Sequence, residues 1–390
     1  MPAAPRPART CLSLLLATAC GAPDGQTDPD TTTTTTAHTT TTTTTPNPTD
    51  GESTSSSTTT TTTTTTTTDT ADPGTTTLTT LPTTTTDTTT GEYPPDPICA
   101  PWPAPADPHD QSVVPTELPP NDPTAAKIVL VAGAPSLDHP PGAHEFFAGT
   151  ALFAKLLCQT PGVVPVIVKN GWPVDESIFA GARTIVFYLD GRDVHPLADP
   201  GKYAVLAPHI AAGAGFVNLH YAVDYNPPVG AQILPWLGGY YENGYSVNPI
   251  WQATYDNLPA HPITSGVAPL TINDEWYYNM RWIDGMPGIT PILQAVPPEE
   301  TRTTPDTQAH PGRSEITAWA FERQGGGRGF GFTGGHWYGN WTDSPDTPDA
   351  AKLRRVVING ILWSAGLPVP PEGAPVTLDP ADQGQWLDTK

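Results

Sequence analysis

Residues 127–133, Lys-Ile-Val-Leu-Val-Ala-Gly, form a short apolar run that is rich in β-branched side chains and ends at a glycine. A run of this kind is typical of a strand that is buried on both faces. Comparable runs predict further strands at 163–168, 184–189, 215–220, 316–321 and 329–333. Apolar residues at helical spacing predict helices at 142–157, 203–212 and 349–364. This alternation predicts an α/β fold with a doubly wound, mostly parallel sheet.

The middle of this region, roughly 225–315, is rich in Trp, Tyr, Pro and Gly. It is longer than a simple connection between two neighbouring strands needs to be. We therefore expect a Trp/Tyr-rich insertion that covers one edge of the sheet and helps to shape a pocket.

The chain before the α/β region has a different composition. Thr, Asp, Pro, Gly and Ser make up most of the residues between Asp24 and Asp96, including an unbroken Thr58–Thr68 run. Such a segment lacks the apolar surface needed to offset the entropy of ordering. The predicted organisation is a signal peptide at 1–20, a disordered Thr-rich linker at 21–98, a Pro-rich lead-in at 99–124, the α/β domain at 125–367 and a Pro/acidic tail at 368–390.

The charge is distributed as unevenly as the composition. The whole chain of 390 residues carries a formal charge of −22, yet residues 125–367 hold 14 basic and 21 acidic side chains. Residues 20–124 contribute 14 acidic side chains and no basic ones. Since no Lys/Arg cluster follows the pattern of a nucleic-acid groove, no nucleic-acid partner is expected.

The first twenty residues have the pattern of an export signal. Arg6 and Arg9 precede the apolar run 11–17, and small residues follow up to Cys20. The sequence around Cys20 is similar to a bacterial lipobox, which predicts a lipid anchor in the membrane through Cys20 and a lipoprotein on the cell envelope. The alternative is an ordinary signal peptide and a secreted protein. The Thr-rich linker would then act as a spacer, either glycosylated or unmodified.

Four cysteines are present, at positions 11, 20, 99 and 158, and no CxxC or CxxH pair is found among them. This spacing excludes a zinc knuckle. Export would allow a disulfide between Cys99 and Cys158, with a buried free thiol at Cys158 as the alternative.

Several chemically active side chains follow predicted strands, where ligands bind in doubly wound sheets. Asp190, His220 and His336 each lie just after a strand. Asp190 could orient a ligand hydroxyl. His336 follows the glycine pair 334–335, which permits close backbone approach. His220 stands where a hydrolase would carry a nucleophile, and a histidine there suits proton transfer or metal ligation. The alternative is a histidine that is only packed at the end of a strand.

Two further segments add candidate site residues. The loop after the first strand holds His139, His144 and Glu145, which could bind a metal or transfer protons, unless Glu145 only caps the helix. Residues 273–281 place Asp274 and Glu275 beside Trp276 and Tyr277. Carboxylates beside aromatic faces suit sugar rings, although the same pattern is found where an acidic pair caps a short helix.

Taken together, these segments resemble the ThuA-like (trehalose utilisation) domain family. The resemblance is carried by PPGAHEFF (140–147), NGWPVD (170–175), IVFYLDG (185–191), GFVNLHYAVD (215–224), LGGYYE (237–242), VNPIW (247–251), HPITSGV (261–267), INDEWYYNMRW (272–282) and GRGFGFTGGHWYGNW (327–341). It implies a fold similar to that of class I glutamine amidotransferases, with flavodoxin-like layers. In that superfamily the strand-end elbow carries a Cys, and a later His is followed two residues on by a Glu. Here His220 stands near the elbow and Tyr338 follows His336, so glutamine hydrolysis is not expected.

The resemblance implies action on, or binding of, a small-molecule carbohydrate, a glycoside or keto-glycoside. We expect acid/base or metal chemistry from five residues, His336, His220, Glu145, Asp274 and Glu275. We expect substrate contacts from Asp190, Trp276, Tyr277, Tyr221 and His144. A divalent metal is a candidate cofactor, and its candidate ligands are His139, His144, His220 and His336. The alternative function is a non-catalytic surface module that binds glycan.

Overall fold

The computed structural model describes residues 93–136, 139, 140, 142–335 and 347–389. Its strands are β1 (Ala126–Ala132), β2 (Val163–Val168), β3 (Thr184–Tyr188), β4 (Gly215–Leu219), β5 (Gly239–Tyr240), β6 (Ile250–Tyr255), β7 (Leu270–Glu275), β8 (Arg281–Trp282), β9 (Ile289–Ala295), β10 (Glu315–Glu322) and β11 (Arg328–Phe332). The α-helices are α1 (Phe146–Leu157), α2 (Pro200–Ala211), α3 (Pro227–Leu237), α4 (Pro305–Gln308) and α5 (Pro348–Ser364). Short 3₁₀ helices lie at Glu176–Phe179, Arg192–Val194, Pro196–Ala198, His220–Val223, Pro262–Thr264, Glu299–Thr301 and Pro380–Asp382.

Seven strands form the central sheet, in the order β2-β1-β3-β4-β11-β10-β9. The pairs from β2 through β11 are parallel, whereas β10 pairs antiparallel with both β11 and β9. Both edge strands contain a proline, Pro165 in β2 and Pro291 in β9. Because proline lacks a backbone N–H, it is tolerated at a sheet edge and limits further pairing there.

Helices cover both faces of this sheet. Apolar residues of α1 and α5 pack with one face, while those of α2 and α3 pack with the other. Strands buried on both faces read as near-continuous apolar runs, which is why Lys127–Ala132 shows no polar alternation after its first residue. The predicted mostly parallel, doubly wound α/β fold is confirmed.

The aromatic middle of the chain is more regular than the sequence pattern indicated. It contains α3, two small antiparallel pairs, β5 with β8 and β6 with β7, and the edge strand β9 of the main sheet. The expectation of an insertion at one sheet edge holds for β9, but its strands were missed. β5 and β8 have only two residues each, β9 contains Pro291, and β6 and β7 alternate buried and more exposed side chains instead of forming continuous apolar runs.

The segments on either side of the domain contact it directly. Cys99 forms a disulfide with Cys158 at the end of α1, with their Cα atoms 5.3 Å apart. Near the other terminus, Trp386 is buried and its ring packs edge-on against Trp102 at 5.1 Å. The Leu387 backbone N–H also donates to a carbonyl of the lead-in segment.

Within the described part of the chain, no helix is both long enough and apolar enough to cross a membrane.

Candidate functional site

The candidate site lies at the carboxyl ends of β1, β3, β4 and β11, where the parallel strands deliver their connecting loops. His144 comes from the loop between β1 and α1, and His220 begins the 3₁₀ turn that follows β4. Both side chains are buried, and both residues have positive φ angles, 52° and 54°. Non-glycine residues rarely adopt this conformation, and those that do are frequent at functional sites.

The two imidazoles face each other. The Nε2 atoms of His144 and His220 are 3.0 Å apart. His220 Nδ1 lies 2.8 Å from the Thr333 carbonyl oxygen. Because a carbonyl only accepts, Nδ1 of His220 carries the proton, and Nε2 of the neutral ring therefore has a lone pair. This is the arrangement by which proteins orient a histidine for metal ligation or proton transfer.

A carboxylate flanks each side of this pair. His144 Nδ1 lies 3.5 Å from Asp190 Oδ1, and His220 Nε2 lies 3.6 Å from Glu275 Oε2. The order Asp190–His144–His220–Glu275 therefore places one carboxylate at each end of the imidazole pair. Such a sequence of groups can move a proton or hold a cation without a large rearrangement.

His139 joins the same group through a serine. The Ser136 hydroxyl donates to Asp190 Oδ1 at 2.9 Å and lies 2.8 Å from His139 Nδ1. Since the serine proton is directed to Asp190, His139 donates from Nδ1, and its Nε2 is the basic nitrogen of the neutral ring. The rings of His139 and His144 have centroids 3.9 Å apart. We call His139, His144, Asp190, His220 and Glu275 the histidine cluster.

Two sets of donor atoms in the histidine cluster have the spacing of a metal site. One set is His139, His144 and Asp190, and the other is His144, His220 and Glu275, with the donor atoms of each set within 4.8 Å of one another. Imidazole nitrogens and carboxylate oxygens are the ligands of Zn²⁺ and similar first-row metals. Both sets include residues proposed from the sequence.

A pocket of about 200 Å³ adjoins the histidine cluster, and we call it the strand-end pocket. Its walls are polar and aromatic side chains, namely His139, Arg192, Tyr221, Asp224, Tyr241, Asn248, Glu275 and Tyr277. Glu275 belongs to both the cluster and the pocket, and Asn248 Nδ2 donates to its Oε1 at 2.9 Å. A ligand in the pocket would therefore meet the cluster directly.

A buried ion pair forms one wall of the strand-end pocket. Arg192 Nε donates to Asp224 Oδ2 at 2.7 Å, and the Asp224 side chain is only 1% exposed. Its other oxygen, Oδ1, is buried and accepts no hydrogen bond from the described residues. Burial raises the pKa of Asp224 to about 6, against the opposing effect of Arg192. Buried carboxylates with a raised pKa are common in ligand-binding sites.

Burial also raises the pKa values of Tyr241 and Tyr277, so both phenols stay protonated and can donate hydrogen bonds to a ligand. Four residues of the pocket, Arg192, Asp224, Tyr241 and Asn248, received no role from the sequence. Each lies in or beside a segment that carries the family resemblance, and this was the only sequence signal for them.

The site residues proposed from the segment 273–281 lie in different environments in the structure. Successive side chains of β7 point to opposite faces, so Glu275 lines the pocket while Asp274 is buried. Asp274 Oδ2 accepts from the Gly335 N–H at 2.8 Å and so holds the end of β11. Trp276 has no exposed surface and packs edge-on against Tyr255 and Phe332, which assigns its ring to the core rather than to an open sugar platform.

Glu145 lies away from the strand-end pocket. Its Oε1 accepts from the Gly142 N–H at 2.9 Å, and its Oε2 accepts from the Asp388 N–H at 2.7 Å. These bonds tie the first loop to the C-terminal segment. His195 stabilises the turn after β3, because its Nδ1 accepts from the Leu197 N–H.

The glycine pair after β11 is required by close packing. A Cβ at Gly334 would lie 2.6 Å from the Trp276 ring, and one at Gly335 would lie 2.5 Å from His220 Cβ. The predicted close backbone approach is therefore present. His336, the next residue, lies outside the described residues.

The fold and the pocket together define an α/β domain of the doubly wound class, with a polar ligand site at the carboxyl ends of its strands. The family model for ThuA, described as trehalose utilisation, matches residues 143–364, and the chain belongs to this family.

Solved structures with similarity to the chain include two proteins described as thua-like. One, from Parabacteroides merdae ATCC 43184, is 18% identical, with a TM-score of 0.45, and the match covers 63% of this chain and 92% of that one. The other, from Bacteroides uniformis ATCC 8492, is 15% identical, with a TM-score of 0.42 and coverage of 62% and 93%. No curated protein matches the sequence.

Proposed function

We propose that this protein acts on a small carbohydrate, a glycoside or its keto derivative, in the strand-end pocket, and that it does so outside the cytoplasm. The observation that carries the proposal is the pair of facing imidazoles, His144 and His220, beside Glu275 at the edge of a polar pocket. Family membership supports the same class of ligand.

The pocket chemistry favours a polyhydroxylated ligand. Asp224 and Glu275 offer acceptors, while Arg192 and the protonated phenols of Tyr241 and Tyr277 offer donors. Sugar hydroxyls both donate and accept, so they match such a mixed wall. The volume of about 200 Å³ lies below the roughly 300–1,000 Å³ of pockets for drug-sized molecules. One sugar ring, or the end of a disaccharide, is therefore the expected occupant.

His220 is the proposed acid/base residue. Its Nε2 lone pair is directed by the hydrogen bond from Nδ1 to Thr333, and Glu275 stabilises the imidazolium that forms when it takes up a proton. The proton taken up would come from a ligand hydroxyl, or from the carbon beside a keto group. His144 and Asp190 extend the path for that proton. His336 stays a proposed participant from its sequence position.

The histidine cluster is also the proposed holder of a divalent metal. His144, His220 and Glu275 would be its ligands, and the Thr333 carbonyl would orient His220 as a supporting partner. A bound divalent ion polarises hydroxyl and carbonyl oxygens of a ligand.

The cell-envelope location is part of the proposal. The lipobox-like Cys20 would anchor the protein, and the Thr-rich linker would hold the domain away from the membrane. The Cys99–Cys158 disulfide supports export, because structural disulfides persist in oxidising compartments.

The alternative is a surface module that binds glycan without converting it. It is favoured by the residue at the elbow after β4, where this chain has His220 in place of a nucleophilic side chain. Binding without turnover would identify this alternative.

The test uses the full-length protein, supplied with Zn²⁺ and then with a chelator. A panel of disaccharides and keto-glycosides is assayed for binding by calorimetry and for conversion by chromatography. The enzyme proposal expects turnover that falls at least 100-fold in His220→Asn and is unchanged in His310→Asn, which alters an exposed histidine. Saturable binding without turnover in the wild type supports the glycan-binding alternative. Absence of both binding and turnover across the panel overturns the proposal.

A further inference from the structure

A second cleft lies at the opposite end of the sheet from the strand-end pocket. We call it the amino-end cleft because its walls lie at the starts of β3, β4 and β11 and at the end of α5. It has a volume of about 650 Å³ and is lined by residues 181–183, 209, 212–214, 322, 323, 326–328 and 364–366. None of the described residues proposed for carbohydrate chemistry lines it.

The cleft is locally basic within an acidic domain. Its lining contains three guanidinium groups, those of Arg183, Arg323 and Arg328, together with His209. Among the described residues of the lining, Glu322 is the one carboxylate. Residues 125–367 as a whole carry 14 basic and 21 acidic side chains, so this concentration of positive charge opposes the general trend.

The three arginines use neutral acceptors. Arg183 Nε donates to the Ala365 carbonyl at 3.2 Å, and Arg328 Nη1 donates to the Trp363 carbonyl at 2.7 Å. Arg323 donates to the carbonyl of Ala214 through Nη2. No carboxylate of the described residues lies within ion-pair distance of these three groups. Backbone carbonyls fix the guanidinium planes but carry no negative charge. Glu322 lies opposite Arg328 across β10 and β11, but it forms no ion pair with the three groups among the described residues.

Arg323 has, in addition, one donor atom without an acceptor among the described residues. The residue is only 8% exposed, and its Nη1 is buried with no hydrogen-bond partner among the described residues. Burial lowers the pKa of Arg323 to about 10, which means that the surroundings disfavour its charge. A buried donor of this kind is stabilised by an acceptor, and most strongly by a negatively charged one.

The turn between β10 and β11 packs against Arg323, whose Nε donates to the Gly326 carbonyl. Gly325, Gly326 and Gly327 all have positive φ angles, and a Cβ at Gly327 would lie 1.8 Å from Arg323 Nη2. A side chain at this position would therefore collide with the guanidinium. Gly325 and Gly326 face open space and carry no side chain that would obstruct a ligand beside Arg323.

From these observations we propose that the amino-end cleft binds the phosphate or sulfate group of an anionic ligand, through the guanidinium groups of Arg183, Arg323 and Arg328. Planar guanidinium groups match the oxygens of such oxyanions by paired hydrogen bonds. The group could belong to a small soluble molecule or to a lipid headgroup, because the recognising chemistry is the same.

The experiment titrates the full-length protein with inorganic phosphate and with inorganic sulfate by calorimetry at low ionic strength. Arg183→Gln and Arg328→Gln are the test variants. Arg355→Gln is the matched control, since Arg355 also donates to backbone carbonyls, those of Ala374 and Gly266, but lies outside the cleft. Thermal unfolding checks that every variant folds. In parallel, the proteins are sedimented with phosphatidylglycerol vesicles and with phosphatidylcholine vesicles.

The proposal expects saturable 1:1 binding of phosphate or sulfate that weakens at least tenfold in both folded test variants and stays unchanged in the control. Sedimentation with phosphatidylglycerol alone, if lost in the test variants, identifies a lipid headgroup as the source of the anion. Absence of saturable binding to both anions and to vesicles overturns the proposal. Equal binding by wild type and the folded test variants overturns it as well, because the anion then binds elsewhere.

Discussion

Replacing Asp224 by asparagine should stabilise the protein at neutral pH, even though it removes a buried ion pair. The asparagine has nearly the same shape as the protonated aspartic acid. The native carboxylate is disfavoured by burial, and its pKa is raised from 3.8 to about 6 with the effect of Arg192 included. The Arg192 side chain is 37% exposed, so water can solvate it once its partner is gone.

The magnitude follows from this shift. A carboxyl group with a raised native pKa destabilises the fold at any pH above both values. Between pH 3.8 and pH 6 the native state binds more protons than the unfolded state, so this group contributes stability as the pH falls through that window. A shift from 3.8 to about 6 corresponds to about 3 kcal/mol. The free energy of unfolding of Asp224→Asn should therefore exceed that of the wild type by about 3 kcal/mol at pH 7.5 and by almost nothing at pH 3.5.

The assay is urea unfolding followed by tryptophan fluorescence at pH 7.5, pH 5 and pH 3.5. Asp256→Asn, at an exposed position, is the control for removing a negative charge. Arg192→Gln should act in the opposite direction and cost about 3–5 kcal/mol at pH 7.5, because it leaves a buried carboxylate unpaired. A clear loss of stability in Asp224→Asn at pH 7.5 would contradict this prediction, because the Asp224 carboxylate would then be a net stabilising group.

Three further predictions concern other parts of the molecule. Burial lowers the pKa of His195 to about 3, so the contribution of this residue to stability is complete above pH 6.5 and falls by about 2 kcal/mol between pH 7.5 and pH 5. The free energy of unfolding of His195→Gln in urea should lack this pH dependence, and an unchanged pH slope in the variant would contradict the prediction. Replacing Cys99 and Cys158 by serine should cost about 4 kcal/mol in the same assay, because the bridge spans 59 residues, and a cost below about 1 kcal/mol would count against a stabilising bridge. A Cβ at Gly335 would lie 2.5 Å from His220 Cβ, so Gly335→Ala should weaken Zn²⁺ binding in a competition titration at least tenfold; wild-type affinity would contradict the role given to His220.

The parallel part of the fold was accessible from the sequence because its strands are buried on both faces. The run at 163–168 matches β2, and the run at 184–189 exceeds β3 by one residue. Strand β9 was missed because its burial is partial and Pro291 interrupts its pattern. Its place in the sheet depends on pairing with β10, a tertiary contact that local sequence does not encode.

The predicted strand ends identified candidate site residues in the sequence. The direction of each side chain, however, depends on the backbone conformation, which only the structure shows. His144 and Glu145 are neighbours, yet the positive φ of His144 accompanies a turn in which His144 faces His220 while Glu145 binds the C-terminal segment. Asp274 and Glu275 separate for a simpler reason, the alternation of side chains along β7.

Arg192 and Asp224 illustrate what sequence reasoning could not supply. They are 32 residues apart, and nothing in their local patterns pairs them. Their ion pair forms because the turn after β3 packs against the turn after β4, where Gly191 has no room for a Cβ. A buried carboxylate with a raised pKa is a property of that packing, not of the residue type.

Binding of carbohydrate in the strand-end pocket can be measured by calorimetric titration of the full-length protein with disaccharides and keto-glycosides. Glu275→Gln keeps the size of a side chain that lines the pocket but removes its charge. A charge-assisted hydrogen bond contributes about 1.5–3 kcal/mol, so we expect saturable 1:1 binding of at least one sugar that weakens about tenfold or more in Glu275→Gln. Binding of equal strength in the folded variant, or no sugar binding by the wild type, would contradict the proposed binding of carbohydrate in this pocket.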